Sequence, residues 1–329
     1  WLHARRSKNL SDATRNSRTV VRHLESLAEG QSSQPGRVAA VGVFDGVHCG
    51  HRRILEEALN WARADHVPAL ALTFSTHPDA VIHQEEPRFI VSLRRRVEII
   101  ESLGFDATLL LPFNDRISRV TADSFAVNFL ARGLGLSGVV VGSNFRFGHR
   151  AEGDPELLAR LGRDHGLLVR VIEPVLDQER VISSSYIREL VEAGNVEKAC
   201  RLLGRPFHLR GQVVLGQQRG RTIGFPTLNL APGTLLRPAV GVYATQVERA
   251  DGRTHVAVTN VGVCPTFGEG APLTVESHLL DFDAEIYGEE VGVAFLHRLR
   301  GERKFPSLDA LREQILADIA RTRELFDRP

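Results

Sequence analysis

Along the first part of the chain, strand-length apolar runs alternate with amphipathic stretches. From about Phe207 the helical period gives way to a strand period. The apolar runs are Val38–Phe44, Ala69–Phe74, Ala107–Leu111, Val139–Val141 and Leu167–Ile172. Between them, Arg52–Ala64 sets Ile54, Leu55, Ala58, Leu59 and Ala62 at helical spacing, and Leu93–Leu103, Thr121–Arg132 and Asp154–His165 repeat the pattern. Strand and helix in alternation require crossover connections, so this part predicts an α/β doubly wound parallel sheet with helices on both faces. Beyond Phe207 the runs Val213-Val214, Gly241–Val247, His255–Val261, Leu273–Asp281 and Val291–Leu299 are β-like, and Asp251-Gly252 between two of them is a hairpin signal. One helical pattern, Leu308–Phe326, closes the chain. The second part therefore predicts a C-terminal antiparallel β-barrel with a terminal helix. The change falls near Gly204-Arg205-Pro206, giving expected domains at 20–203 and 204–329.

The 329 residues leave room for about two such domains. Lysine and arginine total 41 against 40 acidic residues, and this balance argues against a general nucleic-acid binder. No apolar run approaches the roughly 18 residues that suggest a membrane span. Cys49, Cys200 and Cys264 are odd in number and far apart, which fits a reducing compartment and hence the cytoplasm. The chain has no methionine and begins at Trp1, so a processed or misplaced start is expected. Residues 1–19 are polar, basic and aperiodic, and they read as a disordered leader or extension rather than a targeting stretch. Assembly into a homo-oligomer is left open.

The sharpest local signal is Gly42-Val43-Phe44-Asp45-Gly46-Val47-His48-Cys49-Gly50-His51, between the first strand and the first helix. In an open parallel sheet, ligands bind beyond the carboxyl ends of strands. A helix N-terminus adds free N–H groups and a positive dipole end, which suit phosphate. His48 and His51 can face one anion, and Gly46 and Gly50 remove side chains where backbone must approach it. A zinc site would need a fourth ligand, and none is near His48, Cys49 and His51 in sequence.

This segment resembles the H-x-G-H signature of the nucleotidylyltransferase superfamily, in the form found in prokaryotic FAD synthetases. The resemblance implies that His48 and His51 stabilise the α-phosphate of ATP during attack, with Gly42, Phe44, Asp45, Gly46 and Gly50 around the nucleotide. Ser183-Ser184-Ser185-Tyr186-Ile187-Arg188 is similar to the family's second motif. It implies that the three serines and Arg188 hold the β- and γ-phosphates, although Ser before a helix is also an ordinary N-cap. Where the family often has a basic residue, this chain has Val181, with Arg180 beside it. Gly142-Ser143-Asn144-Phe145-Arg146-Phe147-Gly148 resembles the family's flavin and adenylate loop, which implies flavin contacts at Gly142, Asn144 and Phe145. A glycine-rich turn with its phenylalanines in the core is the other reading. His77, in Thr73–Pro78 after the second strand, is expected to reach the nucleotide. Gly133-Leu134-Gly135-Leu136-Ser137-Gly138 matches G-x-G-x-x-G but follows a helix and precedes a strand, so it reads as a helix stop and turn.

A second constellation lies in the β part. Gly216–Asn229 lacks the spacing and lysine of a Walker loop, yet Gly220, Thr222 and Gly224 could cradle phosphate with backbone N–H groups. Thr227 and Asn229 offer hard oxygen ligands of the kind Mg²⁺ takes alongside phosphates. Glu276 shares a strand face with Thr274 and His278. Gly224-Phe225-Pro226-Thr227-Leu228-Asn229 resembles the riboflavin kinase motif, with leucine where alanine is commoner. Thr274–His278 and Asn260–Gly268 match too, with Cys264 where arginine or asparagine is more usual. The resemblance implies that Thr227 and Asn229 bind Mg·ATP and that Glu276 is the general base for the riboflavin 5′-hydroxyl.

The order of these motifs is that of the bifunctional riboflavin kinase/FAD synthetase family. It implies two ATP- and Mg²⁺-dependent steps, riboflavin to FMN and then FMN to FAD with release of pyrophosphate. Two other readings remain at this point: an adenylyltransferase for another phosphorylated acceptor, and a flavin-binding protein without turnover.

Overall fold

The computed structural model describes residues 20–23, 36–82, 84, 87–216, 220, 223–263 and 273–327. The expected leader and the positions of Thr222 and Cys264 lie outside the described residues. The chain packs as two compact units, one formed by residues up to Pro87 with Leu93–Val175, the other by Arg88–Ser92 with Leu176–Pro329.

In the first unit, β1 (Val20–His23), β2 (Arg37–Val41), β3 (Ala69–Phe74), β4 (Ala107–Leu111), β5 (Leu136–Gly142) and β6 (Leu168–Ile172) form one sheet in the order β1-β4-β3-β2-β5-β6. All its pairings are parallel. The connections carry α1 (Cys49–Ala64), α2 (Pro78–Ile82), α3 (Leu93–Ser102), α4 (Asp115–Ser118), a π-helix over Ser124–Gly133 and α5 (Pro155–Arg163). Every residue of β2, β3 and β4 is buried, as expected of strands covered on both faces. Val38 and Ala40 face a core built with Leu55 and Trp61 of α1 and Ile100 of α3. Ala39 and Val41 face the opposite core, with Phe125, Phe129 and Leu130 of the π-helix.

The sequence predicts an ordinary helix over Thr121–Arg132, and the structure places a wider one there. The Leu134 N–H reaches back five residues to the Phe129 carbonyl at 2.8 Å. A Cβ at Gly133 would sit 2.9 Å from the Asn128 carbonyl oxygen, so this close approach needs glycine. Gly135 then turns the chain at φ +63° into β5, so the G-x-G-x-x-G run is a helix stop and turn. From β2 the chain moves outward through β3 and β4, then returns to β5 on the other side of β2. The carboxyl ends of β2 and β5 thus form the topological switch point of the sheet, where such folds bind ligands.

The second unit opens with a two-stranded ribbon, β7 (Leu176–Asp177) and β8 (Arg180–Val181), then α6 (Ser184–Glu192) and α7 (Val196–Leu203). The strands β9 (Phe207–Val214), β10 (Leu228–Ala231), β11 (Gly241–Arg249), β12 (Thr254–Val263), β13 (Leu273–Leu279) and β14 (Glu290–Arg300) close into a barrel in the order β10-β13-β12-β11-β14-β9. All its pairs are antiparallel, and β9 pairs with β10 to seal it. Gly252 turns the β11–β12 hairpin at φ +81°. Helix α8 (Leu308–Phe326) docks through an ion pair from half-buried Arg300 Nη2 to buried Asp318 Oδ2 at 2.9 Å. Inside the barrel, Thr245, Thr259 and Ser277 form a hydroxyl ladder at 2.6 and 2.7 Å that satisfies three buried polar groups across β11, β12 and β13.

Helices α6 and α7 pack with this barrel. The Cys200 thiol donates to the Phe295 carbonyl at 3.3 Å, the Arg298 N–H donates to Glu197 at 2.9 Å, and the Ala239 N–H donates to the Val191 carbonyl at 3.2 Å. The compact division at Val175/Leu176 therefore falls before the change of sequence period at 203/204. No helix among the described residues is long and apolar enough to cross a membrane.

Candidate functional site

In the first unit, β2 delivers the chain into a turn that ends at the N-terminus of α1. Phe44, Gly46 and Val47 have φ of 52°, 80° and 40°. Left-handed backbone is costly for non-glycine residues, about 1–3 kcal/mol each, and such strain persists only where surroundings hold it. A Cβ at Gly42 would lie 2.8 Å from the Phe44 ring, which folds back over it and is fully buried. His48 is the N-cap of α1, and its Nδ1 accepts the His51 N–H at 3.2 Å. A neutral imidazole accepting at Nδ1 carries its proton at Nε2. The His51 ring stacks on it, with centroids 3.6 Å apart and planes 19° from parallel. Phe44 meets the His51 ring edge-on at 5.4 Å. Gly50 lies in the first turn of α1, and Asp45 is buried beside Gly46 in the turn.

Two neighbouring strand ends frame this turn. Near the end of β3, Thr73 is fully buried and donates its hydroxyl to the Val43 carbonyl at 2.8 Å. His77 follows, accepting the Asp79 N–H at 3.1 Å. At the end of β5, a Cβ on Gly142 would meet Asn144 Oδ1 at 3.1 Å and Ile54 of α1 at 3.3 Å. Phe145 is half-buried and stacks on Phe147 at 5.5 Å, while Phe147 itself is in the core against Phe125. Asn144 is exposed. The sequence-derived residues Gly42, Phe44, Asp45, Gly46, His48, Gly50 and His51 thus follow β2 through the turn into the first turn of α1, with Gly142 at the end of the adjacent β5 and Asn144 and Phe145 just after it.

Sequence reasoning missed Arg96, on α3. Arg94 and Arg95 pair with Glu98 at 3.2 and 3.0 Å, as a solvated helix face would. Arg96 turns inward and is 1% exposed. Its Nη1 donates to the Val43 carbonyl at 2.7 Å and the Phe74 carbonyl at 3.0 Å. Burial pushes its guanidinium below the usual range, and the Asp45 carboxylate works against that shift. The available signal was periodicity: Arg96 shares the helix face of Ile99, Ile100 and Leu103.

Ser183, Ser184, Ser185 and Arg188 belong to the second compact unit. Ser183 caps α6, its hydroxyl accepting the Tyr186 N–H at 3.2 Å, and Ser184 and Ser185 open the helix. Arg188 Nε donates to the Arg88 carbonyl at 2.9 Å. Arg180 lies over the Tyr186 ring at 3.7 Å and pairs with Glu189 at 2.5 Å. Asp177 accepts from the Tyr186 hydroxyl and from Lys198, and these contacts hold its carboxyl below the usual range, the Lys198 hydrogen bond most strongly.

On the barrel, Asn229 of β10 stands directly opposite Glu276 of β13, which stands opposite Asn260 of β12. Thr274, Glu276 and His278 alternate with buried Val275, Ser277 and Leu279, so the row faces outward from the barrel interior. A Cβ at Gly216 would collide with the Asn229 amide, and one at Gly220 would meet the Phe225 carbonyl oxygen and lie 3.4 Å from Thr227. Gly224 turns at φ +90°, and His278 Nδ1 donates to the Pro226 carbonyl at 2.8 Å, fixing the approach to Thr227. Thr227 also lines a cavity of about 350 Å³ walled by Val213, Leu228, Phe282, Ile286 and Tyr287. Thr222 lies outside the described residues. Sequence reasoning missed this cavity because its outer wall, residues 282–287, carries no motif.

Two family models match the chain, FAD synthetase over residues 30–186 and riboflavin kinase over residues 203–326. Curated bifunctional riboflavin kinase/FMN adenylyltransferases align over most of its length. The one from Escherichia coli (strain K12) is 33% identical, covering 93% of this chain and 97% of its own. Those from Pseudomonas fluorescens and Bacillus subtilis (strain 168) are 36% and 34% identical, covering 93% and 88% of this chain and 97% and 92% of their own. The chain belongs to the bifunctional riboflavin kinase/FMN adenylyltransferase family. The FAD synthetase match spans β2–β6 of the parallel sheet, and the riboflavin kinase match spans the barrel. A solved structure from Streptococcus pneumoniae, described as a macrolide-efflux protein, is 32% identical with a TM-score of 0.84, covering 92% of this chain and 99% of that one. That description stays with that protein.

Proposed function

We propose that this chain makes FAD from riboflavin in two ATP-dependent steps, phosphorylation to FMN on residues 204–329 and adenylylation of FMN on residues 20–203. The observation that carries the reading is the pairing of two sites on one chain. One is a stacked histidine pair at a helix N-terminus beyond the sheet's switch point. The other is a carboxylate in register with an asparagine beside a glycine-flanked threonine.

In adenylylation an FMN phosphate oxygen attacks the α-phosphorus of ATP. The new P–O bond forms as the bridging α–β P–O bond breaks, and pyrophosphate leaves. Negative charge moves onto the α-phosphate oxygens and the departing group. His48 meets that charge with a donor at Nε2, because its Nδ1 is held by the His51 N–H. The N-terminus of α1 adds its dipole, and Gly46 and Gly50 let backbone approach. Asn144 and Phe145 are assigned to the flavin, and the Ser183–Ser185 hydroxyls with Arg188 to the β- and γ-phosphates. Arg180 is engaged by Glu189 and Tyr186, which argues against its replacing the missing basic side chain at 181.

In phosphorylation the Glu276 carboxylate takes the proton of the riboflavin 5′-hydroxyl, whose oxygen attacks the γ-phosphorus as ADP leaves. Directly opposed residues in an antiparallel pair have Cβ atoms about 5 Å apart, so Asn229 brings the nucleotide's phosphates beside the base. The cavity next to Thr227 takes the purine of ATP. Among the described residues no group of three or more His, Cys, Asp or Glu could form a metal cage. The donor set instead fits Mg²⁺ arriving with the phosphates, since Gly216 and Gly220 leave a cradle beside the Asn229 amide and Thr227 that a Cβ would fill. Bound there, the ion would neutralise phosphate charge; Thr227 and Asn229 would hold it. A cytoplasmic setting is supported by three cysteines that are odd in number and far apart in sequence.

The test is chromatographic. Incubated with riboflavin, ATP and Mg²⁺, the full chain should give FMN and then FAD; with FMN, ATP and Mg²⁺ it should give FAD. EDTA should stop both. FMN without FAD in both incubations would refute the adenylylation half, and FAD formed only from FMN would refute the kinase half.

A further inference from the structure

The β2–α1 turn is strained, and one buried cation grips it. Phe44 and Val47 both hold positive φ, and Val47 is β-branched, which makes that conformation harder still. The peptide immediately before the strained run is bonded twice at its carbonyl. The Val43 carbonyl accepts from Arg96 Nη1 at 2.7 Å and from the Thr73 hydroxyl at 2.8 Å. Arg96 also donates to the Phe74 carbonyl at 3.0 Å and lies 3.5 Å from Thr73 Oγ1. One guanidinium therefore ties the end of β2 to the end of β3. It is 1% exposed, so it has no route to substrate, and Asp45 in the same turn is equally buried.

We propose that Arg96 is a positioning residue for FMN adenylylation, holding the β2–α1 turn in the geometry that stacks His51 on His48. This rests on the reading of the histidine pair as the adenylylation site. Arg96 supplies direction rather than charge to the substrate. Its Nη1 fixes the Val43 carbonyl, Val43 fixes where Phe44 turns back, and the turn sets His48 as N-cap of α1. Freed from this grip, Phe44 and Val47 relax toward negative φ and the cap bond from the His51 N–H to His48 opens. Substrates still bind, but the donor no longer meets the α-phosphate in the transition state. Misplacement on the order of 1 Å costs about a hundredfold in rate.

The experiment uses the full chain, whose kinase activity is an independent control. Arg96→Met should lower kcat for FAD formation about a hundredfold, with KM for ATP and FMN within about threefold and FMN formation unchanged. Arg96→Lys, which keeps a charged donor but on a shorter side chain than the one that places Nη1 between the Val43 and Phe74 carbonyls, should recover part of the rate. Thr73→Val, removing the weaker grip on the same carbonyl, should cost about fivefold. Histidine-labelled NMR supplies the structural readout. The mutually shifted ring signals of His48 and His51 should collapse toward independent values in Arg96→Met, less in Arg96→Lys and least in Thr73→Val. Should Arg96→Met fail to fold, Arg96→Lys and Thr73→Val carry the test alone. Unchanged FAD kinetics in both would overturn the proposal, as would lowered kcat with the two ring signals still coupled. Intact FAD synthesis in His48→Ala would instead overturn the underlying reading of the site, whatever Arg96 does.

Discussion

At the scale of residues, the two proposed reactions use different physics, so single changes should separate them. His48 acts by donating to developing charge, and loss of one such donor typically costs about 10²–10³ in rate. His48→Ala should lower FAD formation from FMN by that factor and leave riboflavin phosphorylation intact. Glu276 acts by taking a proton, a contribution of about 10²–10⁴. Glu276→Ala should do the reverse. Measuring both products for both variants closes the cycle: either change abolishing both activities in folded protein would end the two-site reading. Much of this was legible in sequence because the chemistry sits in contiguous motifs, His48 and His51 on one turn and Pro226–Asn229 on one strand entry. Arg96 was hidden for the opposite reason. It acts across 53 residues of chain, and its two arginine neighbours make it look like part of a solvated face.

At the scale of elements, β11 shows how a single buried hydroxyl ties stability to pH. The Tyr243 hydroxyl donates to the Ala239 carbonyl at 2.6 Å. Burial pushes its phenol up to about 12 from an ordinary 10, against the opposing pull of Arg298. Between those values the folded state keeps a proton the unfolded state has lost. The stabilisation is whole below pH 10 and drains as pH rises toward 12. Urea midpoints at pH 9 and pH 11 should therefore fall more for the natural chain than for Tyr243→Phe, so that the gap between them narrows; a constant gap would refute the assignment. Elements with a clean period were readable: β3, β4 and α8 have the bounds the sequence predicts. The four-residue β10 was not, because its pairing comes from distant β9 and β13 rather than from any local run. The π-helix was not either, since its extra width is set by the Gly133 approach to Asn128.

At the scale of the whole molecule, sequence families and packing divide the chain in different places. The riboflavin kinase match begins at residue 203, whereas the barrel's compact unit includes Leu176 onward. The helices α6 and α7 bury Ile187, Val191, Val196, Ala199 and Leu203. They also satisfy barrel groups: Arg298 bonds to Glu197 and to the Ala193 carbonyl, and the Phe295 carbonyl accepts from Cys200. A fragment cut at the family boundary, residues 204–329, would expose that apolar surface and leave those partners unmet. Burying a large aliphatic side chain is worth about 1.5–3 kcal/mol. Loss of even two or three should cost about 5 kcal/mol, comparable to the whole stability of a small domain. Residues 176–329 should therefore phosphorylate riboflavin and unfold in one cooperative transition, while 204–329 should unfold at markedly lower urea or fail to stay soluble. Equal midpoints for the two fragments would show that the helices add nothing to the barrel. Ser183–Tyr186 lie within the FAD synthetase match yet pack as part of this second unit. The shorter cut would thus remove from the barrel the helices that carry the proposed triphosphate ligands, and the urea comparison measures how firmly the barrel holds them.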